Sequence, residues 1–139
     1  MDLDKRIKDL EKSINRLKEA YEKALEYMED EDYPFFRDSS IQRFEFTVEI
    51  LWKSLKSFLH KTEGINCKSP KNCIREFFSS GYLSPEETTK LLEMIDSRNK
   101  TSHTYHEEVA EEIFKELKSY IPLIQKVFNI IKNTVNPNF

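Results

Sequence analysis

The sequence predicts an all-α protein: an antiparallel up-and-down helical bundle of four-helix-bundle type, with three long and two short helices. Two observations predict it. Charged residues make up 34% of the 139, only Gly64 and Gly81 are glycine, and Leu/Ile/Lys/Glu-rich runs follow one another, a composition that suits helices and leaves strands little to build with. Apolar positions also recur in steps of three and four along most of the chain, with no strand candidate, repeat or low-complexity segment between them. The length suits a single domain over residues 1–139 and gives no room for a second of ordinary size.

The first helix is marked by Leu3, Ile7, Leu10, Ile14, Leu17, Tyr21, Ala24 and Met28, a heptad seam of about four repeats that is expected to pack inside the bundle. The acidic run Glu29 to Asp32 and then Pro34 are expected to end it in a solvated loop. A second helix is expected from "RDSSIQ", where Ser39 and Gln42 have capping-box spacing, with an inner face of Ile41, Phe44, Val48, Leu51, Trp52, Leu55, Phe58 and Leu59. Phe46 and Ile50 fall nearly opposite that face. They need either cover from a loop carrying Phe35 and Phe36 or a second subunit.

Two short helices are each announced by Ser-Pro, at Ser69 and Ser84: serine caps the helix and proline fits its first turn. Gly81 is placed to stop the earlier one. The last helix carries a broad stripe from Val109 to Ile131, with Pro122 expected to kink or break it.

Composition limits function. A net charge of −3 and a pI near 5.7 argue against a broad basic nucleic-acid surface, so any RNA contact is expected to be local. No apolar run approaches the roughly 20 residues needed to span a bilayer, and the N-terminus lacks a signal-peptide stretch, so a cytoplasmic location without membrane contact is expected. Cys67 and Cys73, with His60 the only nearby imidazole, are an incomplete zinc set; reduced structural thiols and no metal are the expectation.

The stretch "DSRNKTSHTYHEE", Asp96 to Glu108, holds an arginine, an asparagine, two histidines and a tyrosine between two apolar-periodic segments. Thr104 and Glu107 have capping-box spacing, which predicts that the fifth helix starts just after Thr104, with Tyr105 its first residue. His103 then precedes the cap, and Arg98 closes the helix before it beside Asn99. A helix N-terminus favours phosphate, arginine adds a bidentate clamp and histidine a base. These are the parts for cleaving RNA without metal or other cofactor, with His103 taking the 2′-OH proton and Arg98 stabilising the transition state. The alternative is structural: Arg98 pairs with Asp96 or a glutamate of "HEEVAEE", and His103 packs a helix end. Glu107, Glu108, Glu111 and Glu112 repel phosphate unless they face away or meet a cation.

The pattern Arg-Asn-x-x-x-His of "RNKTSH", on an all-helical chain of this length, resembles the HEPN superfamily. More narrowly, "RDSSIQRFEFTVEILWKSLKSFL" together with "DSRNKTSHTY" resembles the bacterial and archaeal nucleotidyltransferase substrate-binding proteins, over most of the chain. The resemblance implies a bundle of four or five helices in a two-fold homodimer, its Arg-His motifs facing a shared cleft, and it makes Phe46 and Ile50 interface candidates. It implies a partner as well, a minimal nucleotidyltransferase forming a hetero-oligomer; this chain lacks the Gly-Ser loop of that transferase and is not the transferase itself.

In related toxin-antitoxin pairs the HEPN chain is an RNase with Arg-x4-His-x-Tyr, and the nucleotidyltransferase adenylylates the tyrosine. Arg98, His103 and Tyr105 match. The resemblance thus makes Arg98 and His103 catalytic if the chain is an RNase, Asn99, Lys100 and Tyr105 binding residues for nucleotide or RNA, and Tyr105 the modification site, where added AMP brings bulk and negative charge. Three readings stay open: a subunit that binds nucleotide or RNA for the nucleotidyltransferase, a metal-independent RNase toxin, and a purely structural dimerisation module.

Overall fold

A computed structural model of the chain describes residues 2–137. Its elements are α1 (Leu3–Glu26), α2 (Tyr33–Glu63), α3 (Pro70–Ser79), α4 (Pro85–Asn99) and α5 (Glu107–Val135), with a 3-10 turn, Thr101–His103, before α5. No strand occurs among the described residues, and no helix there is long and apolar enough to cross a membrane.

Side-chain pairs fix the directions. Ser13 meets Thr47, Tyr21 meets Phe114 and Lys18 meets Gln125, so α1 runs antiparallel to both α2 and α5. Phe44 stacks on Tyr120 and Arg37 reaches Glu107, so α2 and α5 are parallel. Arg98 lies against Glu49 and Glu87 pairs with Lys126, which sets α4 antiparallel to both. The long helices and α4 thus run up, down, up and down, with α3 carried in the link from α2 to α4, as the expected bundle requires.

The heptad seam of α1 is buried at Leu3, Ile7, Leu10, Ile14, Leu17 and Ala24. The helix stops at Glu26, so Met28 lies past it and is exposed. The inner face expected for α2 is buried except for half-buried Trp52.

The start of α2 departs from expectation. It begins at Tyr33, ahead of the Ser39–Gln42 pair, and Pro34 occupies its first turn. Proline lacks an N–H that a first turn leaves unpaired in any case, so it opens this helix rather than closing a loop. Phe35 and Phe36 therefore lie on α2, where Phe36 stacks on Tyr27. No loop carries them over Phe46, which is 44% exposed.

Both Ser-Pro starts form. Ser69 accepts the Asn72 N–H, while Ser84 and Glu87 make a reciprocal capping box. Gly81 adopts the left-handed φ of 92° after α3, a conformation glycine takes without steric cost. Pro122 does not break α5, which continues to Val135; the carbonyl deprived of its donor belongs to Lys118, on the exposed side where water reaches it.

The cysteines are corrected too. Cys67 and Cys73 form a disulfide with Cα atoms 5.0 Å apart. The first turn of α3 carries Cys73 back over the extended link that holds Cys67, and both side chains are buried. The pair staples the α2–α3 link.

Candidate functional site

The polar stretch starts in the last turn of α4, which is tied down on both sides of Arg98. The buried Ser97 hydroxyl lies 2.9 Å from Glu116 Oε2 and 3.1 Å from the Tyr120 hydroxyl, fixing α4 to α5. Thr101 Oγ1 lies 2.8 Å from Glu45 Oε2 of α2 and 2.8 Å from the Arg98 carbonyl. The backbone that bears Arg98 is thus held from two directions, while its side chain is held loosely. Its Nη2 is 3.4 Å from Glu49 Oε2, near the limit of a useful hydrogen bond, and its Nε is shielded from solvent with no partner.

The counter-charge on Arg98 is therefore Glu49 of α2, not Asp96 or a glutamate of α5; Asp96 pairs with Lys71 instead. Burial pushes the Glu49 carboxyl upward, but bonds from Trp52 and Lys53 and the charge of Arg98 prevail and hold it below its ordinary value.

His103 closes the 3-10 turn through its backbone N–H, bonded to the Lys100 carbonyl at 2.9 Å. Its ring is exposed, 6.3 Å from the ring of Tyr105, which is itself 75% exposed and 4.2 Å from the ring of His106. Among the described residues the side chains of Asn99, His103 and Tyr105 make no hydrogen bond. Lys100 reaches Glu112 at 3.7 Å. All five expected site residues thus lie in one surface segment, in the order Arg98, Asn99, Lys100, His103, Tyr105.

The start of α5 lies later than the Thr104–Glu107 spacing suggests. The helix begins at Glu107 with His106 as cap, and no side chain bonds the cap position. Thr104 instead directs its hydroxyl to the Thr101 carbonyl at 3.2 Å. Tyr105 is therefore not the first helical residue, and the helix end expected to seat a phosphate begins with Glu107 and Glu108. The acidic run is partly neutralised: Glu107 and Glu111 meet Arg37, and Glu112 meets Lys100.

Arg37 is the residue that sequence reading missed. It is 2% exposed, and its guanidinium holds Glu107 through two bonds of 2.7 and 3.2 Å, with Asp38 at 3.0 Å and Glu111 at 3.4 Å. The bond from Arg37 lowers the Glu107 carboxyl below its ordinary value. Tyr33 donates to Glu111, and burial followed by that bond raises its phenol well above the ordinary range. Partners 70 positions apart leave no local signal, whereas Ser97 and Thr101 could be found only by asking what holds Arg98. The Asp-x-Asp spacings of the chain, Asp2/Asp4 and Asp30/Asp32, serve local backbone turns: each pair's first carboxylate accepts the second residue's N–H. No three His, Cys, Asp or Glu side chains converge as a metal site among the described residues.

Comparison with known proteins adds to this geometry. A Thermus thermophilus protein of known crystal structure is 39% identical, with a TM-score of 0.80, over 88% of this chain and 98% of that one. A Shewanella oneidensis HEPN toxin, solved tri-AMPylated and in complex with an MNT antitoxin, shares the fold at a TM-score of 0.74 and 15% identity, over 95% and 98% of the two chains. A probable ribonuclease HepT of Haemophilus influenzae is 30% identical over 86 residues, 59% of this chain and 58% of that protein, so the match spans little more than half of that relative. The family model for nucleotidyltransferase substrate binding protein-like chains matches residues 5–133. With a helical-bundle fold that it shares with that toxin, and along nearly its whole length, this chain belongs to the nucleotidyltransferase substrate-binding protein-like family.

Proposed function

We propose that the protein is the HEPN-type subunit of a pair with a minimal nucleotidyltransferase, and that it binds nucleotide or RNA along the segment Arg98 to Tyr105. One observation carries this reading: Asn99, His103 and Tyr105 leave their side chains without a hydrogen bond on a segment whose backbone is anchored by Ser97 and Thr101. A firmly held backbone bearing spare polar side chains is the form expected of a recognition site. Arg98 supplies a phosphate fork, Lys100 a second cation, Asn99 an amide and Tyr105 a ring on which a base can stack. The whole chain acts as one HEPN-like domain, and it pairs about a two-fold axis through the exposed Phe46 and adjacent Ile50, which brings two such segments to a common cleft.

The second reading has a specific observation in its favour, the intact Arg-x4-His-x-Tyr spacing. In that case His103 accepts the 2′-OH proton, the 2′ oxygen attacks phosphorus, and the 5′ oxygen leaves with a proton, giving a 2′,3′-cyclic phosphate and a 5′-OH. Arg98 stabilises the charge on the phosphorane-like transition state. No metal enters these steps. Tyr105 is the control point: its exposed hydroxyl attacks the α-phosphate of ATP bound by the partner, an aryl phosphodiester forms and pyrophosphate leaves.

One experiment separates the two. Protein confirmed by mass to carry no AMP is incubated with several RNAs in EDTA, beside His103→Ala. Cleavage with cyclic phosphate ends, lost in His103→Ala, establishes the RNase. Binding without cleavage, together with a stable complex with the nucleotidyltransferase, leaves the first reading in place.

A further inference from the structure

The expectation from net charge, that no broad basic surface exists, treats charge as evenly spread, and the fold does not spread it evenly. Between the C-terminal half of α1 and the N-terminal half of α2 lies a hollow of about 860 Å³ in which Lys12, Arg16, Lys23 and Arg43 face the single carboxylate Glu19. The chain as a whole has more carboxylates than cations, 25 against 22, so this groove concentrates charge of the sign opposite to the total. Among the described residues Lys12, Arg16 and Arg43 form no ion pair or side-chain hydrogen bond, whereas Arg37, Arg98 and Lys100 are all paired. From Lys12 to Lys23 the helix advances roughly 16 Å, enough to follow several backbone phosphates.

Lys12, Arg16 and Arg43 also line the adjoining depression, which continues to Phe46, Glu49 and Ile50. Glu49 is the residue that holds the Arg98 guanidinium. The cations therefore share this depression with Phe46, Ile50 and the carboxylates Asp9 and Glu49, and it lies on the way across α2 to the Arg98–Tyr105 segment.

We infer that the α1–α2 groove is a docking track for the phosphate backbone of single-stranded RNA, with Lys12, Arg16 and Arg43 delivering the strand toward Arg98. Unpaired cations gain most from phosphate because they release counterions without first breaking an internal ion pair. An acidic protein would satisfy the same charges, but continuity with a segment suited to phosphodiester recognition favours RNA. The inference rests on the RNA side of the proposed function.

The test uses full-length protein and a labelled 2′-O-methyl oligouridylate of about 12 nucleotides, which a ribose 2′-OH nuclease cannot cleave, with anisotropy read between about 50 and 200 mM salt. Lys12→Glu/Arg16→Glu/Arg43→Glu is compared with Lys68→Glu/Lys115→Glu/Lys118→Glu, an equal change of charge at exposed positions elsewhere. Lys12→Gln/Arg16→Gln/Arg43→Gln serves as the milder groove variant should the first misfold by circular dichroism. The groove variants are expected to bind more than about tenfold more weakly, with the slope of log Kd against log salt reduced by about 2 for three lost phosphate contacts, while the remote triple changes far less. Equal losses in groove and remote variants, or binding lost in Arg98→Ala but unchanged in the groove variants, overturns the track and leaves the RNA reading standing. Capture of a polyglutamate peptide without the oligonucleotide, or no oligonucleotide binding by the parent protein, overturns both.

Discussion

Two arginines reach toward the same end of the bundle and are treated in opposite ways. Arg37 is buried and its guanidinium is occupied by Asp38, Glu107 and Glu111. Arg98 is 31% exposed along its side chain, touches one carboxylate at 3.4 Å and leaves Nε without a partner. An arginine saturated by carboxylates has no fork left for a ligand, while one held by a single long contact can exchange it for a phosphate. Arg37 thus fixes where α5 begins, and Arg98 is free to act beside it.

Breaking the buried member of this comparison gives the largest loss of stability. Arg37→Met removes the ion-pair tie between α2 and α5 and leaves Glu107 without its partner, while Glu111 keeps only the bond from Tyr33. Urea unfolding should show a loss of about 2–4 kcal/mol, less than for a fully enclosed pair because Glu107 opens to water. A smaller change in stability with the same cooperativity would mean that water replaces the guanidinium.

In the α2–α3 link the Cys67–Cys73 staple closes a short loop, and its reduction should cost about 2 kcal/mol. Thermal melts with and without reductant check this, and ligand affinity at the Arg98 segment should not move, because Ser97 and Thr101 anchor that segment to α5 and α2 independently of the staple.

Acid sharpens the comparison further. Glu49, Glu87 and Glu107 all have carboxyls lowered in the folded state, so the folded protein binds fewer protons than the unfolded one near their ordinary pKa. Their contribution is complete above about pH 4.5, the ordinary value for the group, and fades as pH falls through the lowered folded values. Stability measured from about pH 7 down to about pH 3 should decline only in that acid range. Arg37→Met should flatten part of the decline, since Glu107 then loses the partner that lowers it.

Arg98→Ala should have the smallest effect on folding, below about 1 kcal/mol, because its one ion pair is long and partly exposed. Its effect on ligand is expected to be large, at least tenfold in Kd for an RNA oligonucleotide. A stability loss of about 2 kcal/mol or more with affinity unchanged would support the purely structural reading of the motif instead.

Legibility in the sequence follows the range of the interactions. The α1 seam, the Ser69 and Ser84 caps and the Gly81 stop are set by residues within a few positions, and they form as read. Proline is ambiguous because Pro34 has the same reason to follow a helix as to open one, and the Ser39–Gln42 and Thr104–Glu107 spacings are capping signals that the longer α2 and the 3-10 turn override. Arg98, Asn99, Lys100, His103 and Tyr105 fall in one segment, as their closeness in sequence makes unavoidable. What holds that segment, Ser97 on Tyr120, Thr101 on Glu45 and Arg37 on Glu107, depends on pairings across helices that no spacing announces. The disulfide is hidden by an inference from location, and the basic groove by averaging charge over the whole chain.

The most direct measurement is an NMR titration of the AMP-free protein with a 2′-O-methyl RNA oligonucleotide, following the His103 imidazole and Tyr105 ring signals beside those of His60 at the far end of α2. Saturable shifts at His103 and Tyr105, absent at His60 and abolished by Arg98→Ala, are the predicted result. Shifts that leave His103 and Tyr105 unmoved, or that persist unchanged in Arg98→Ala, would contradict the assignment of the α4–α5 segment as the binding site.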